Sequence, residues 1–141
     1  MTTYREYKSL CQEISRTGIS HYTVEEASNS VDALNDRQFV IMKHDVESAP
    51  RKALEMSHIE HAFGIKATYY VHSHFLHDSG GVAIFREIRN LGHEIGYHFD
   101  PLDSNDGDTR RAVLEFKQAL SRFAENGFNV RTVCPHGNPL K

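Results

Sequence analysis

Leu91-Gly92-His93-Glu94-Ile95-Gly96-Tyr97-His98-Phe99-Asp100 is the stretch on which the fold turns. Ahead of it, Val82 to Leu91 carries Ile84, Phe85, Ile88 and Leu91 at helical spacing, so Gly92 reads as a helix stop. His93 to Phe99 then reads as a strand, and its far end delivers an imidazole, His98, and a carboxylate, Asp100. A helix, a glycine stop and a strand with ligating side chains at its carboxyl end make one unit of a parallel α/β sheet.

The same unit repeats outward. Upstream, Phe39-Val-Ile-Met42 is a short apolar run, the pattern of a strand buried on both faces. Ser48 and Pro50 signal a helix start. Ala53, Met56, Ile59, Ala62 and Phe63 share one face of that helix, and Gly64 ends it. Ile65 to Val71, β-branched and aromatic, reads as the second strand, and Asp78-Ser-Gly-Gly81 as the loop into the next helix. Downstream, Asp100 to Asp108 reads as a loop, with Asp108 or Thr109 as cap. Thr109 to Asn126 reads as an amphipathic helix through Val113, Phe116, Ala119, Leu120 and Phe123, stopped by Gly127. Phe128 to Cys134 is the expected fourth strand, and Pro135 to Pro139 a turn-rich end. This alternation predicts βαβ units around a parallel sheet. Four strands fall short of the about eight that close a barrel, so the expected fold is α/β with a partial or distorted (β/α) barrel.

Residues 1–38 read as a helical leader to this single domain of residues 1–141. Tyr4, Tyr7, Leu10, Cys11 and Ile14 mark a first helix, Tyr4 to Ile14. Thr23 and Glu26 form a capping-box spacing at the start of a second, Thr23 to Leu34.

Composition narrows the function classes. With 16 basic against 19 acidic residues and a net charge of −3, there is no electrostatic footprint for nucleic acid. No apolar stretch approaches the ~18 residues of a membrane span. Two distant cysteines, Cys11 and Cys134, are no disulfide framework, and the expected address is cytoplasmic. Cys134 reads as a small core residue. The outlier is histidine, with ten copies in 141 residues.

Position gives those histidines meaning, because ligand sites of parallel α/β folds lie at the carboxyl ends of the strands. The first strand ends in His44-Asp45-Val46-Glu47, the second in His72-Ser73-His74, the third in His98-Phe99-Asp100, and the fourth is followed by His136. Zinc takes three or four His, Asp, Glu or Cys ligands and, in catalytic sites, keeps one position open. Asp45 and Glu47, two apart, share one side of an extended strand. One could hold metal while the other takes a proton. The bland alternative is that they complement a helix N-terminus. His44 is a ligand, catalytic residue or packing residue; His72 and His74 are loop or site residues; Asp100 is a weak ligand or a cap. His58 and His61 are expected on a solvent-facing helix surface, and His93, at the start of its strand, in a structural role. The expected metal set is Glu47, His98, His136 and Asp45, with Asp45, His44 and His74 as catalytic groups and Zn²⁺ foremost among divalent cations.

The acidic pair after strand one, Ala67-Thr-Tyr-Tyr70 in strand two and Gly92-His-Glu-Ile-Gly-Tyr-His98 in strand three together resemble the polysaccharide deacetylase superfamily, also called carbohydrate esterase family 4. The resemblance runs from about Phe39 to Pro139. It implies a distorted (β/α) barrel, a divalent metal held by an aspartate and two histidines, an aspartate base, and removal of acetyl groups from N-acetylated sugars or hydrolysis of other C–N bonds. On it, Asp45 matches the base, Glu47 the metal carboxylate of an Asp-x-Asp variant, and His98 the first metal histidine. The second histidine, four positions on, is here Leu102. The Arg-x-Pro motif after strand four is here Cys134-Pro-His-Gly-Asn-Pro139, from which His136 is expected to supply the ligand. The family's later strands, with the histidine that acts as acid, have no counterpart in these residues, so the resemblance implies the first four strand–helix units of that barrel. The expected function is therefore a metal-dependent hydrolase acting on a small or carbohydrate substrate. The alternative is a non-catalytic metal- or ligand-binding module with a degenerate site, or an oligomerising one in which a second copy covers the open edge.

Overall fold

The structure is a computed structural model that describes residues 3–34 and 37–137. Residues 35–36 of the leader and the end of the Pro135–Pro139 turn lie outside the described residues.

The chain is α/β, with four parallel strands, β3 (Lys43–Val46), β4 (Thr68–Val71), β5 (Glu94–Phe99) and β6 (Val133–Pro135), hydrogen-bonded in that spatial order. The sheet curls into a half-barrel, with a helix at the N-terminus. Register is in step: Asp45 pairs with Tyr70, Tyr70 with Gly96, and His98 with Cys134. All carboxyl ends therefore point the same way, and residues of equal parity share a face. One face carries Val46, Tyr69, Val71, Ile95 and Tyr97. It packs on Ala53 of α4 (Pro50–Ala62), Val82, Phe85 and Ile88 of α5 (Ser79–Asn90), and Ala119 and Phe123 of α7 (Thr109–Glu125) in one core cluster. Phe85 and Phe123 are fully buried; each contributes roughly 1.5–3 kcal/mol of transfer free energy. The other face carries the polar set Lys43, Asp45, Tyr70, Glu94, His98 and Cys134.

Gly96 fits this second face for a spatial reason. A Cβ there would lie 2.5 Å from the Tyr70 ring and 3.0 Å from the Thr132 carbonyl oxygen, so the missing side chain lets Tyr70 lie across β5.

The leader differs from expectation. Helix α1 (Tyr4–Thr17) is capped by Thr3 and Glu6, and packs Tyr7 and Cys11 against Ile65, Met56 and Ile59. The Thr23–Glu26 capping box is present, but the helix breaks at Ser30 into α2 (Val24–Asn29) and α3 (Val31–Leu34). A short strand that the pattern did not announce, β1 (Ser20–Tyr22), pairs in parallel with β2 (Phe39–Ile41). The apolar run at Phe39 thus belongs to a small two-stranded sheet. Phe39 and Ile41 are exposed, not buried on both faces. After Met42 the chain moves into the main sheet as β3, whose residues alternate, Val46 buried and Asp45 exposed. Two further elements sit where loops were expected: a 3-10 turn, Ser73–His77, and α6 (Pro101–Ser104). No described helix is long and apolar enough to cross a membrane.

Candidate metal centre

The strand ends bring His72, His98 and His136 together, with one ring nitrogen of each within 4.8 Å of the others. His72 follows β4, His98 lies in β5 beside it, and His136 follows β6. The backbone N–H of His136 donates to the Phe99 carbonyl at 2.8 Å, tying that turn to the end of β5. Glu47, one residue past β3, reaches the same spot. Its Oε1 is 3.4 Å from His136 Nε2 and 3.8 Å from His98 Nε2.

His98 is the centre of the group. Its side chain is 1 % exposed. Nδ1–H donates to the Cys134 carbonyl oxygen at 3.1 Å, so the neutral ring keeps its lone pair on Nε2. Among the described residues, that Nε2 is a buried side-chain atom with no hydrogen-bond partner. An orphan of this kind ordinarily costs about 1–3 kcal/mol. A histidine whose far nitrogen is fixed by a carbonyl, and whose near nitrogen is bare, is oriented as a metal ligand.

The donor set fits a borderline cation. Three imidazoles and a carboxylate suit zinc, and two nitrogens around one tetrahedral zinc stand roughly 3.4 Å apart at bond lengths of about 2.0–2.1 Å. Burial, then the neighbouring His98, pushes the His72 imidazole below its ordinary value, with Asp100 pulling the other way. A neutral imidazole is the ligating form.

A cavity of about 480 Å³ opens over this group, bordered by Glu47, His72, His74, Tyr97, Asp100 and His136. His74 is exposed and stacks on His72 with ring centroids 5.4 Å apart. Burial, ahead of the Asp100 and Glu115 charges, pushes the Tyr97 phenol up to about 12, so it stays a neutral hydroxyl. Asp100 occupies the N-cap position of α6 without a side-chain capping bond.

Asp45 stands beside the group. Its carboxylate, the Cys134 thiol and a His98 nitrogen also lie within 4.8 Å of one another. The Lys43 ammonium donates to both Asp45 oxygens, at 3.0 and 3.2 Å, and to Cys134 Sγ at 3.2 Å. Cys134 is thus half-buried on the polar face rather than a packed core residue.

His44 is placed elsewhere. Adjacent residues of a strand point to opposite faces, and Asp45 takes the side of the cavity. His44 turns behind the sheet, where its Nε2–H donates to Glu60 Oε1 at 2.6 Å. Glu60 is fully buried and also accepts the hydroxyls of Tyr69, at 2.6 Å, and Tyr7. Burial tends to raise the Glu60 carboxyl, but the bonds from His44, Tyr69 and Tyr7 win and hold it below the ordinary range. His93, buried, closes this region: the Ala67 N–H donates to its Nδ1, and its Nε2–H donates to the Ser57 carbonyl. Its role is structural, as its position implied. His58 and His61 are exposed on α4.

Of the expected site residues, Glu47, His98, His136 and Asp45 converge, His74 borders the cavity, and His44 does not join them. His72 and Cys134 were not in the expected set. The signal that finds them is strand parity. Counting in twos from Asp45 through the register reaches Glu47, His72, His98, Cys134 and His136 on one side. Comparison of the chain with family models, curated proteins and solved structures gave no match.

Proposed function

We propose that this chain is a metal-dependent hydrolase resembling the polysaccharide deacetylases. It would hold a divalent cation, zinc foremost, on His72, His98 and His136 with Glu47 alongside. The observation that carries this reading is the buried, unpartnered Nε2 of His98, facing two more imidazoles and a carboxylate at the carboxyl end of a parallel sheet. A divalent cation there supplies Lewis acidity toward a carbonyl oxygen.

The chain's own residues supply the rest. Asp45, with a carboxylate oxygen within 4.8 Å of a His98 nitrogen, accepts a proton from the attacking water. Lys43 holds that carboxylate in place, donating to both of its oxygens. In this reading His74, which borders the cavity, protonates the departing amine. The Tyr97 hydroxyl, with Asp100 and Glu115, gives the cavity a polar wall suited to a hydroxyl-rich substrate. The substrate class proposed is the amide of an N-acetylated sugar, or a related C–N bond, in a soluble setting without nucleic acid.

A second reading is favoured by two observations. The position where a second family histidine would stand is Leu102, 54 % exposed on α6, and Asp45 is tied to Lys43 rather than free. Both suit a metal-binding module that performs no hydrolysis. Acetate release from N-acetylated oligosaccharides by the zinc-loaded protein separates the two. Hydrolysis that drops about 10²–10⁴-fold in Asp45→Asn supports the enzyme. Bound zinc with no acetate release leaves the module.

A further inference from the structure

His98 is shared between two trios. One is His72, His98 and His136, nitrogen throughout; the other is Asp45, His98 and Cys134, which brings a carboxylate and a sulfur. With Nδ1 committed to the Cys134 carbonyl, His98 has one lone pair to give, on Nε2. The two trios therefore compete for one ion rather than hold two.

Their donor chemistry differs in softness. Imidazoles with a carboxylate suit zinc, cobalt or manganese, whereas a thiolate draws thiophilic ions such as cadmium. The second position is also guarded. The Lys43 ammonium lies 3.0 and 3.2 Å from the Asp45 oxygens and 3.2 Å from Cys134 Sγ. It rests 5.2 Å from the centroid of the Tyr70 ring, which adds a cation–π contact. A side-chain cation thus sits where a metal cation would bridge carboxylate and sulfur. Cys134 is half-buried and free of any disulfide, so its sulfur is open to an incoming ion.

We propose that Asp45, His98 and Cys134 form an alternative, sulfur-bearing position for the bound cation, taken by thiophilic ions and closed by Lys43 in their absence. The inference rests on the reading of His98 as a ligand, but Cys134 and Lys43 lie outside the nitrogen trio and can be tested apart from it. In this account a thiophilic ion displaces the Lys43 ammonium, takes Cys134 as thiolate with release of one proton, and draws the ion away from His136.

The experiment is titration of the whole apo-protein with Cd²⁺, read by the thiolate–cadmium absorption in the ultraviolet and by ion content, with Zn²⁺ in parallel. The expected result is one ion per chain and a thiolate band in the native protein. Cys134→Ser should lose the band and weaken Cd²⁺ by at least about tenfold, with Zn²⁺ binding little changed. Lys43→Met should tighten Cd²⁺, and His136→Ala should weaken Zn²⁺ while the cadmium band survives. The proposal is overturned if Cd²⁺ binds with no thiolate band, or if the band survives Cys134→Ser and so comes from Cys11. Either result leaves the nitrogen centre standing. Failure of both ions to bind defeats the centre and this inference together.

Discussion

Two clusters of histidine, tyrosine and carboxylate lie on opposite faces of the same sheet, built from the same chemical groups. Behind the sheet, Glu60 is fully buried and accepts from His44, Tyr69 and Tyr7, while both nitrogens of His93 have backbone partners. Both Glu60 oxygens and both His93 nitrogens are thus bonded within the protein. At the carboxyl ends of the strands, His98 is buried as deeply, yet among the described residues its Nε2 has no hydrogen-bond partner, and His72, His136 and Glu47 stand near it. Satisfied polar clusters specify a core; an unsatisfied one, preserved by a fixed tautomer, points outward to chemistry. The strand supplies both: His44 and Asp45 are neighbours in sequence and serve opposite faces.

The contrast can be broken hardest at Glu60. Glu60→Ala strips the acceptor from His44, Tyr69 and Tyr7 and should destabilise the fold by about 3–5 kcal/mol in denaturant unfolding. A loss below about 1 kcal/mol would show the rear cluster to be dispensable. Zinc affinity per folded molecule should change little.

The front cluster should respond the opposite way. His72→Ala or His136→Ala should weaken zinc by at least about 10–100-fold, or ~1.4–2.7 kcal/mol, with the apo-protein close to native stability. His98→Phe removes an orphaned buried nitrogen along with its bond to the Cys134 carbonyl. The apo-protein should therefore keep its stability to within about 1 kcal/mol. A severe loss of apo stability in that variant would make His98 a structural residue like His93.

The smallest effect is a pH slope. Burial holds His93 below its ordinary value, with the Glu60 charge and the Ser57 carbonyl opposing. The unfolded chain thus binds the proton more readily than the folded one. Its contribution to stability is complete above about pH 6.5 and is lost as the pH falls from there toward the depressed folded value. Glu60, whose folded value is also lowered, adds a second loss below about pH 4.5. Denaturant midpoints across this range should fall on acidification, and His93→Gln should flatten the upper part of the decline. An unchanged slope would assign it to other groups.

Much of this was legible in the sequence. Helices α4, α5 and α7 follow apolar stripes and glycine stops, and the parallel strands follow from their alternation. Glu47, His98, His136 and Asp45 could be placed because strand ends converge in such sheets. What escaped detection depends on tertiary context. Ser20–Tyr22 is too short and polar to announce a strand, and the Phe39 run looked buried because its pairing with β1 is invisible in one sequence. His44 was expected at the site since proximity in sequence hides the face a side chain takes, which only the register decides. Cys134 looked like core because its polar neighbours, Lys43 and Asp45, are 91 and 89 residues away.

The central claim is that His98 Nε2 is held bare for a cation. Calorimetric titration of zinc into the metal-free native protein and into His98→Phe tests it most directly. The native protein should bind one zinc per chain, and the variant at least about 100-fold more weakly. Equal binding by both proteins, or none by the native one, would contradict it.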